Sequence, residues 1–145
     1  LAGVDRAVYA SPAYLGRRGT PTLPAELSPH DCLIYAYHTM PTIWRFKKEG
    51  SNEDATVEVT GTLVSNHADM LVEAACRGLG LIFCPLFLVA HRLRAGQLVR
   101  VLPDWRYPLA VSAVFPNAQH VPAKLRIFVD FLVAHFQTAP WADCV

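Results

Sequence analysis

The sequence lacks the short motifs that mark most enzymes and metal sites. It has no Gly-x-Ser-x-Gly nucleophile elbow, no P-loop, and no Gly-x-Gly-x-x-Gly that opens a helix. Its one Gly-x-Gly, residues 78–80, follows a predicted helix, whereas a dinucleotide-binding loop precedes one. The four cysteines form no CxxC pair and the six histidines are dispersed, so metal-ligand spacing is absent. These absences predict a protein that is not an enzyme and that uses no metal or cofactor.

Long apolar runs and an excess of one charge are also missing. No apolar run reaches the roughly 18 residues that a membrane span needs, and the amino end has no signal-peptide pattern. The net charge of +1 gives no reason to expect a nucleic-acid or membrane surface on this chain. Unpaired cysteines predict reduced, mostly buried thiols in a cytoplasmic protein. Because the chain lacks an initiator Met and opens close to a strand-like stretch, we expect an internal fragment of a longer protein.

Apolar residues are plentiful: 52% of the 145 residues are hydrophobic and 17% are charged, which is typical of a chain that forms a core. Strand patterns alternate with helical ones, and this order predicts an α/β sheet covered on both faces. Ser11 is expected to cap a helix that starts at Pro12. The predicted strands cover residues 6–10, 32–35, 42–48, 55–65, 81–84, 97–102 and 109–115, and the later helices cover residues 66–77, 86–95 and 122–136. Within residues 55–65, Gly61 is expected to mark a bulge or the end of the strand.

Two local patterns are clear enough to predict contacts. Trp44 and Phe46 alternate with Arg45 and Lys47, so residues 42–48 should form the first strand of a hairpin with its aromatic side chains inward. In the stretch VSNHADMLVEAACRGLGLIFCP, residues 64–85, Gly78 should take the left-handed position that ends a helix, and Pro85 should end the following buried strand.

The start of the helix within residues 64–85 is the candidate site. We expect Ser65 or Asn66 to be its N-cap, with His67 in the same polar trio. The first turn of a helix carries unpaired N–H groups, and in an open α/β sheet they lie at the edge where ligands bind. The trio could therefore only cap the helix, or it could also present donors to a small anion such as a carboxylate. Residue patterns alone leave both readings open.

The series of motifs resembles the effector-binding region of LysR-type transcriptional regulators. The resemblance begins at RAVYASPAYLGRRGTPTLPAELSPHDCLIY and continues through VEVTGTLVSN, AACRGLGL and GQLVRVLPDW to the stretch AVFPNAQHVPAKLRIFVDFLVAHF, from about Arg6 to Phe136. It implies a type II periplasmic-binding-protein-like fold: two α/β subdomains, an effector cleft between them, and an amino-terminal winged helix-turn-helix that this chain lacks. The chain would be mainly the second subdomain, with a mixed sheet and helices on both faces.

The resemblance also implies a division of the chain and a set of ligand-binding residues. Residues 1–10 would be a crossing strand from the missing first subdomain, 11–108 the second subdomain, 109–137 the return strand and final helix, and 138–145 a tail. The cleft would be lined by Ser65, Asn66, His67, Ser11, Pro12, Pro85 and Phe87.

The implied partners are a small effector, anionic or aromatic, and a second copy or three further copies of the regulator. DNA would be bound only through the absent winged helix-turn-helix. One alternative is an interaction module, because the final helix has apolar residues on more than one side. A solute-binding protein or an enzyme on a related fold is a further alternative.

Overall fold

The computed structural model describes residues 2–114 and 122–137, which form one mixed sheet with helices on both faces. The strands are β1 (Ala2–Ala10), β2 (Cys32–Tyr35), β3 (Ile43–Lys48), β4 (Asp54–Glu58), β5 (Gly61–Ser65), β6 (Leu81–Pro85), β7 (Val99–Val101) and β8 (Trp105–Val111). The helices are α1 (Pro12–Arg18), α2 (Ala68–Cys76), α3 (Leu86–Arg94) and α4 (Ala123–Gln137), and Pro24–Leu27 form a 3₁₀ turn. The predicted α/β class is confirmed.

The strand order places three strand ends at one edge of the sheet. The order is β4-β3-β8-β1-β6-β2-β5, with β7 beside β1. β2 is parallel to both β5 and β6, whereas β1 is antiparallel to β6 with Arg6 opposite Pro85. The carboxyl ends of β2, β5 and β6 therefore share an edge with Arg6. Beyond this edge β1 and β8 continue as a two-stranded ribbon, in which residues 2–5 pair with residues 108–111.

Alternating side chains on the central strands build a separate core on each face of the sheet. On one face, Val8 and Phe83 pack with the aromatic side chains of β3 and with Tyr14 of α1. On the other face, Tyr9 and Ile82 pack against α2 and α3. Because both faces are covered, β6 is apolar along residues 81–84 and does not alternate with polar residues.

The predicted hairpin is confirmed. β3 and β4 pair antiparallel, with Trp44 opposite Val57. Trp44 and Phe46 are buried, and Arg45 and Lys47 are exposed. The alternation of aromatic and basic residues was therefore sufficient to predict which face of β3 is covered.

The predicted strand over residues 55–65 ends just before Gly61, which is one of the two roles expected for this glycine, and a separate strand follows. The chain leaves the hairpin at Glu58, and residues 61–65 form β5, which pairs in parallel with β2 elsewhere in the sheet. Gly61 lies at this break, where a β-carbon would stand 2.6 Å from Cγ1 of Ile34. A close approach between β5 and β2 therefore explains the glycine.

The turn between α2 and β6 uses two glycines for different reasons. Gly78 has φ of 77°, the left-handed conformation predicted for it. Gly80 is buried, and a β-carbon there would collide with the backbone carbonyl of Asp31. The N–H of Leu81 donates to the same carbonyl at 2.8 Å, so this contact sets the register of β6 against β2.

The end of the chain differs partly from prediction. The expected loop around Trp105 is the start of β8, which continues through Pro108 to Val111. Pro108 lies beyond the residues that pair with β3, where one side of β8 is open and a missing N–H can be tolerated. The predicted final helix is confirmed as α4, and no helix in residues 2–114 and 122–137 has the length and apolarity to cross a membrane. The predicted strand end at Phe115 and Pro116 and the predicted tail, residues 138–145, lie outside the described residues.

Candidate ligand-binding site

A cavity of about 290 Å³ lies at the edge where β2, β5 and β6 end. Its walls come from the strand ends, from the first turns of α2 and α3, and from the β1–β8 ribbon. Most of the lining is aliphatic, and it includes Leu33, Leu71, Ile82, Leu88 and Leu109. Such a lining suits the apolar body of a small molecule.

Arg6 is the only lysine or arginine among the described lining residues. Its Nη2 donates to the carbonyl of Phe83 at 3.2 Å, and its guanidinium carbon lies 4.3 Å from the centre of the Phe83 ring. Its Nε is buried and has no hydrogen-bond partner within the described parts of the chain. Burial lowers the pKa of Arg6 below its ordinary value, because the charged form loses water.

Tyr35 and His38 line the cavity on the side of β2. The ring of Tyr35 lies edge-on to Tyr37, with centroids 5.9 Å apart, and edge-on to His38 at 5.5 Å. Burial and then the neighbouring Arg6 lower the pKa of His38. Its imidazole offers a hydrogen-bonding group at the cavity wall.

A second depression of about 260 Å³ adjoins the cavity on the other side of Arg6. The two share Arg6, His38, Phe83 and Leu109. The second depression also contains Arg45. The guanidinium of Arg6 therefore stands between an enclosed apolar cavity and a more open, more polar groove.

The polar trio before α2 is next to the cavity in the chain, but Ser65, Asn66 and His67 are not among its lining residues. Ala68, the first residue of α2, lines the cavity, and Ser65 pairs with Tyr35 at the end of the sheet. The predicted N-cap is one or two residues too early: His67 is the cap residue, its side chain makes no capping bond, and its own N–H donates to Ser65 Oγ at 3.0 Å. Asn66 and His67 are exposed, and Asn66 Nδ2 donates to the Tyr37 hydroxyl at 3.1 Å.

Pro85 and Phe87 reach the predicted site, because both line the cavity at the start of α3. Pro85 ends β6 as expected and is the cap residue of α3. Phe87 is 47% exposed, which leaves much of its ring open to the cavity mouth and solvent. Five of the seven predicted residues therefore lie at one edge of the sheet.

Ser11 and Pro12 do not join this edge, which corrects their expected place at the cleft. They follow the carboxyl end of β1, whereas the cavity lies near Arg6, and β1 is antiparallel to β6. Ser11 is 2% exposed, and its Oγ accepts the N–H of Tyr14 at 3.2 Å as the cap of α1. Its hydroxyl also faces Gly78, at the opposite end of β6 from Pro85. Structural capping accounts for these residues.

Sequence reasoning missed Arg6, Tyr35, His38 and Leu109 as cavity residues. One signal was present for Arg6, which is the charged first residue of the predicted strand 6–10 and directly precedes the apolar run AVYA. Leu109 had no such signal, because it belongs to a ribbon whose pairing with β1 joins residues about a hundred positions apart.

The chain matches the family described as LysR substrate binding domain over residues 1–137. Among curated relatives, it is 32% identical over 145 residues to the HTH-type transcriptional regulator PtxR of Pseudomonas aeruginosa, with 97% of this chain and 45% of PtxR covered. It is 31% identical over 136 residues to the probable regulator LtrA of Klebsiella pneumoniae, with 91% and 43% covered. The chain thus spans less than half the length of these relatives.

Solved structures agree with this match. The full-length Vibrio cholerae virulence activator AphB superposes with a TM-score of 0.70 at 27% identity, covering 92% of this chain and 46% of AphB. The regulatory domain of AphB from Vibrio vulnificus gives a TM-score of 0.70 at 26% identity, covering 93% of this chain and 66% of that one. The shared architecture is that of a regulatory domain.

Proposed function

Because this chain belongs to the LysR substrate binding domain family, we propose that it is the effector-sensing part of a bacterial LysR-type transcriptional regulator. The observation that carries the proposal is the cavity at the sheet edge, which combines aliphatic walls with a cation that has no carboxylate partner among the residues that the structure describes. A role in transcription places the regulator in the cytoplasm, with DNA bound through a winged helix-turn-helix elsewhere in the full-length protein.

The proposed mechanism is closure of a cleft. Residues 11–108 would form one lobe, and the ribbon of residues 2–5 and 108–111 would cross to a second lobe together with α4. A small anionic or aromatic metabolite bound at the edge would contact both lobes and favour their closed arrangement. Closure would then change the relation between regulator subunits on DNA. No catalytic step is part of this proposal.

Substitution of Asn66 tests the proposed site. Asn66 is exposed just before α2, so Asn66→Leu should leave folding intact while it removes the amide from the cleft. We expect the full-length regulator to lose most of its effector-dependent change in promoter binding, and its thermal stabilisation by effector to fall. An effector at 100 times its Kd stabilises the folded state by about 2.7 kcal/mol, which a melting curve resolves readily.

Asn52→Leu is the matched control, because Asn52 is exposed in the hairpin turn, away from the lining residues of the cavity. This variant should respond to effector like the parent protein. If Asn66→Leu responded to effector as fully as Asn52→Leu, the polar trio would not belong to the site.

A second candidate function is association between copies through α4. Leu125, Val129 and Leu132 are half-buried, whereas Ile127, Phe128 and Phe131 are 69%, 55% and 62% exposed. An exposed apolar stripe of this kind is typical of a surface that another element covers. In the full-length regulator the cover would be the other lobe; in this chain alone it would be a second copy.

Light scattering tests whether copies of the isolated chain associate through the exposed apolar residues of α4. We expect the isolated chain to associate in a concentration-dependent way, and Phe131→Ser to weaken that association. Leu23→Ser removes an equally exposed leucine at a different place and should change nothing. A compact monomer at every concentration, with Phe128 and Phe131 protected from solvent, would contradict association through α4.

A further inference from the structure

We infer that the cavity takes a monocarboxylate with an apolar body, and that Arg6 holds its carboxylate. The inference rests on the proposed function, in which this cavity is the effector site, and it adds the chemical class of the effector. It also assigns anion binding to the guanidinium of Arg6 in β1, and not to the amino end of α2, where the polar trio lies.

Among the residues that the structure describes, Arg6 lacks the carboxylate partner that four other arginines have. Arg100, like Arg6, has a buried Nε without a hydrogen bond there, but it lines a different depression together with Asp5 and Glu49. Arg18, Arg77, Arg92 and Arg106 each lie within 4 Å of a carboxylate oxygen. Within the described residues Arg6 has no such partner, and its buried Nε makes no hydrogen bond. The Phe83 carbonyl and ring compensate part of the lost hydration. A partly buried cation without a counter-ion is costly, and a carboxylate is the partner that a guanidinium binds through two parallel hydrogen bonds.

The remaining walls restrict the ligand to one carboxylate. Arg6 is the one strongly basic side chain among the described lining residues, and the aliphatic residues opposite it offer no partner for a second charge. Arg45 lines the adjoining groove and is not among the residues that line this cavity. A second carboxylate within the cavity would therefore lose its hydration without compensation. The volume of about 290 Å³ lies near the lower end of small-molecule pockets and suits one ring or one short chain.

The tip of α2 is the weaker anion site of the two. A helix amino terminus offers roughly half an elementary charge, whereas Arg6 offers a full charge and a fork of donors. The N–H of His67 is already engaged by Ser65 Oγ. Asn66 is engaged by the Tyr37 hydroxyl. These groups are placed to contact the outer part of a ligand whose carboxylate lies deeper, at Arg6.

The experiment compares acids with neutral molecules of the same shape. The probes are benzoate and hexanoate, their amides benzamide and hexanamide, and the dicarboxylates phthalate and adipate. Binding to the full-length regulator is measured by calorimetry and by the shift in melting temperature. We expect at least one monocarboxylate to bind about 10- to 100-fold more tightly than its amide and its dicarboxylate counterpart, which is the range for a charge-assisted hydrogen-bonded pair.

Two variants assign that preference to Arg6. Arg6→Gln should abolish the difference between acid and amide, while Arg6→Lys should retain part of it, because lysine keeps the charge and loses the fork. Arg77→Gln is the control for net charge, because Arg77 is exposed and pairs only with Glu73 of its own helix turn. It should keep the full preference. If Arg6→Gln does not fold, the acid-over-amide preference of Arg6→Lys is compared with that of the parent protein, and it should be smaller.

The outcomes separate this inference from the proposed function. If amides bind as well as acids, if dicarboxylates bind more tightly, or if Arg6→Gln keeps the preference, the inference is overturned while a ligand-binding cavity remains. Failure of all six probes to bind also overturns it. The proposed function would fail differently: no small molecule of any class would change promoter binding, and the Asn66→Leu and Asn52→Leu variants would behave alike.

Discussion

Gly80→Ala should destabilise the protein far more than its single methyl group suggests. Gly80 is buried between α2 and β6, and the added β-carbon would collide with the carbonyl oxygen of Asp31. This oxygen belongs to the backbone and cannot rotate away like a flexible side chain. The chain must therefore shift, and the N–H of Leu81, which donates to the same oxygen at 2.8 Å, loses its partner or its geometry.

The magnitude follows from three contributions. Overpacking against a rigid neighbour costs about 1–3 kcal/mol. Loss of the Leu81 hydrogen bond costs about 1 kcal/mol. Alanine also lowers the conformational entropy of the unfolded chain, which stabilises the folded state by about 0.4–1 kcal/mol. The net loss in the free energy of unfolding is about 1–3.6 kcal/mol, which for a chain of this size lowers the melting temperature by about 3–14 °C.

Gly16→Ala provides the matched control. Gly16 lies inside α1, is exposed, and has no atom within 4 Å of the position of its missing β-carbon. Alanine at a helix interior is favoured over glycine by about 0.5–1 kcal/mol, so this variant should be unchanged or slightly more stable. Urea denaturation followed by circular dichroism measures both variants. Equal unfolding midpoints for the two would refute the steric reasoning at Gly80.

Two further predictions concern titratable groups. Burial, followed by the nearby Arg18, lowers the pKa of His30, whose Nδ1 lies 2.9 Å from the Tyr14 hydroxyl. The unfolded chain therefore takes up this proton at a higher pH than the folded protein, and stability should decline as the pH falls below about 6.5. Melting curves should show a shallower acid decline in His30→Gln, whereas replacement of the exposed His91 by Gln should leave the parent decline unchanged. Burial also raises the pKa of the Cys32 and Cys84 thiols to about 12. Iodoacetamide at about pH 8 should modify the half-buried Cys76 before either of them, as read by peptide mass spectrometry, and rapid labelling of Cys84 in folded protein would contradict its burial.

Patterns within a few residues predicted much of the fold correctly. The alternation at Trp44 and Phe46 identified the covered face of β3, because side chains of a strand point to opposite sides in turn. Gly78 was identified as the left-handed end of the helix turn, because glycine adopts this conformation without steric cost. The apolar run of β6 and the capped start of α1 were equally local.

Predictions failed where distant residues decide the outcome. The sequence did not decide whether Gly61 is a bulge within one strand over residues 55–65 or the end of a strand, because both halves have the same strand-like composition. Their separation into β4 and β5 depends on partners in β3 and β2. Trp105 was predicted to lie in a loop between two prolines. It starts β8 because it pairs with β3, and β8 continues along β1 through Pro108, which lies beyond the residues that pair with β3.

The features of the candidate site also fall into those that local sequence predicts and those that depend on distant residues. The sequence by itself determined that a polar trio precedes α2, that Pro85 ends β6, and that a charged residue lies in the first strand, since each of these depends on local backbone preference or composition. Only the tertiary structure decided that Arg6, Tyr35, Ile82 and Leu109 surround one cavity and that Ser11 lies at the far end of the sheet. The physical reason is that strand direction and register come from backbone pairing between segments up to about a hundred residues apart, and this pairing determines which strand ends meet.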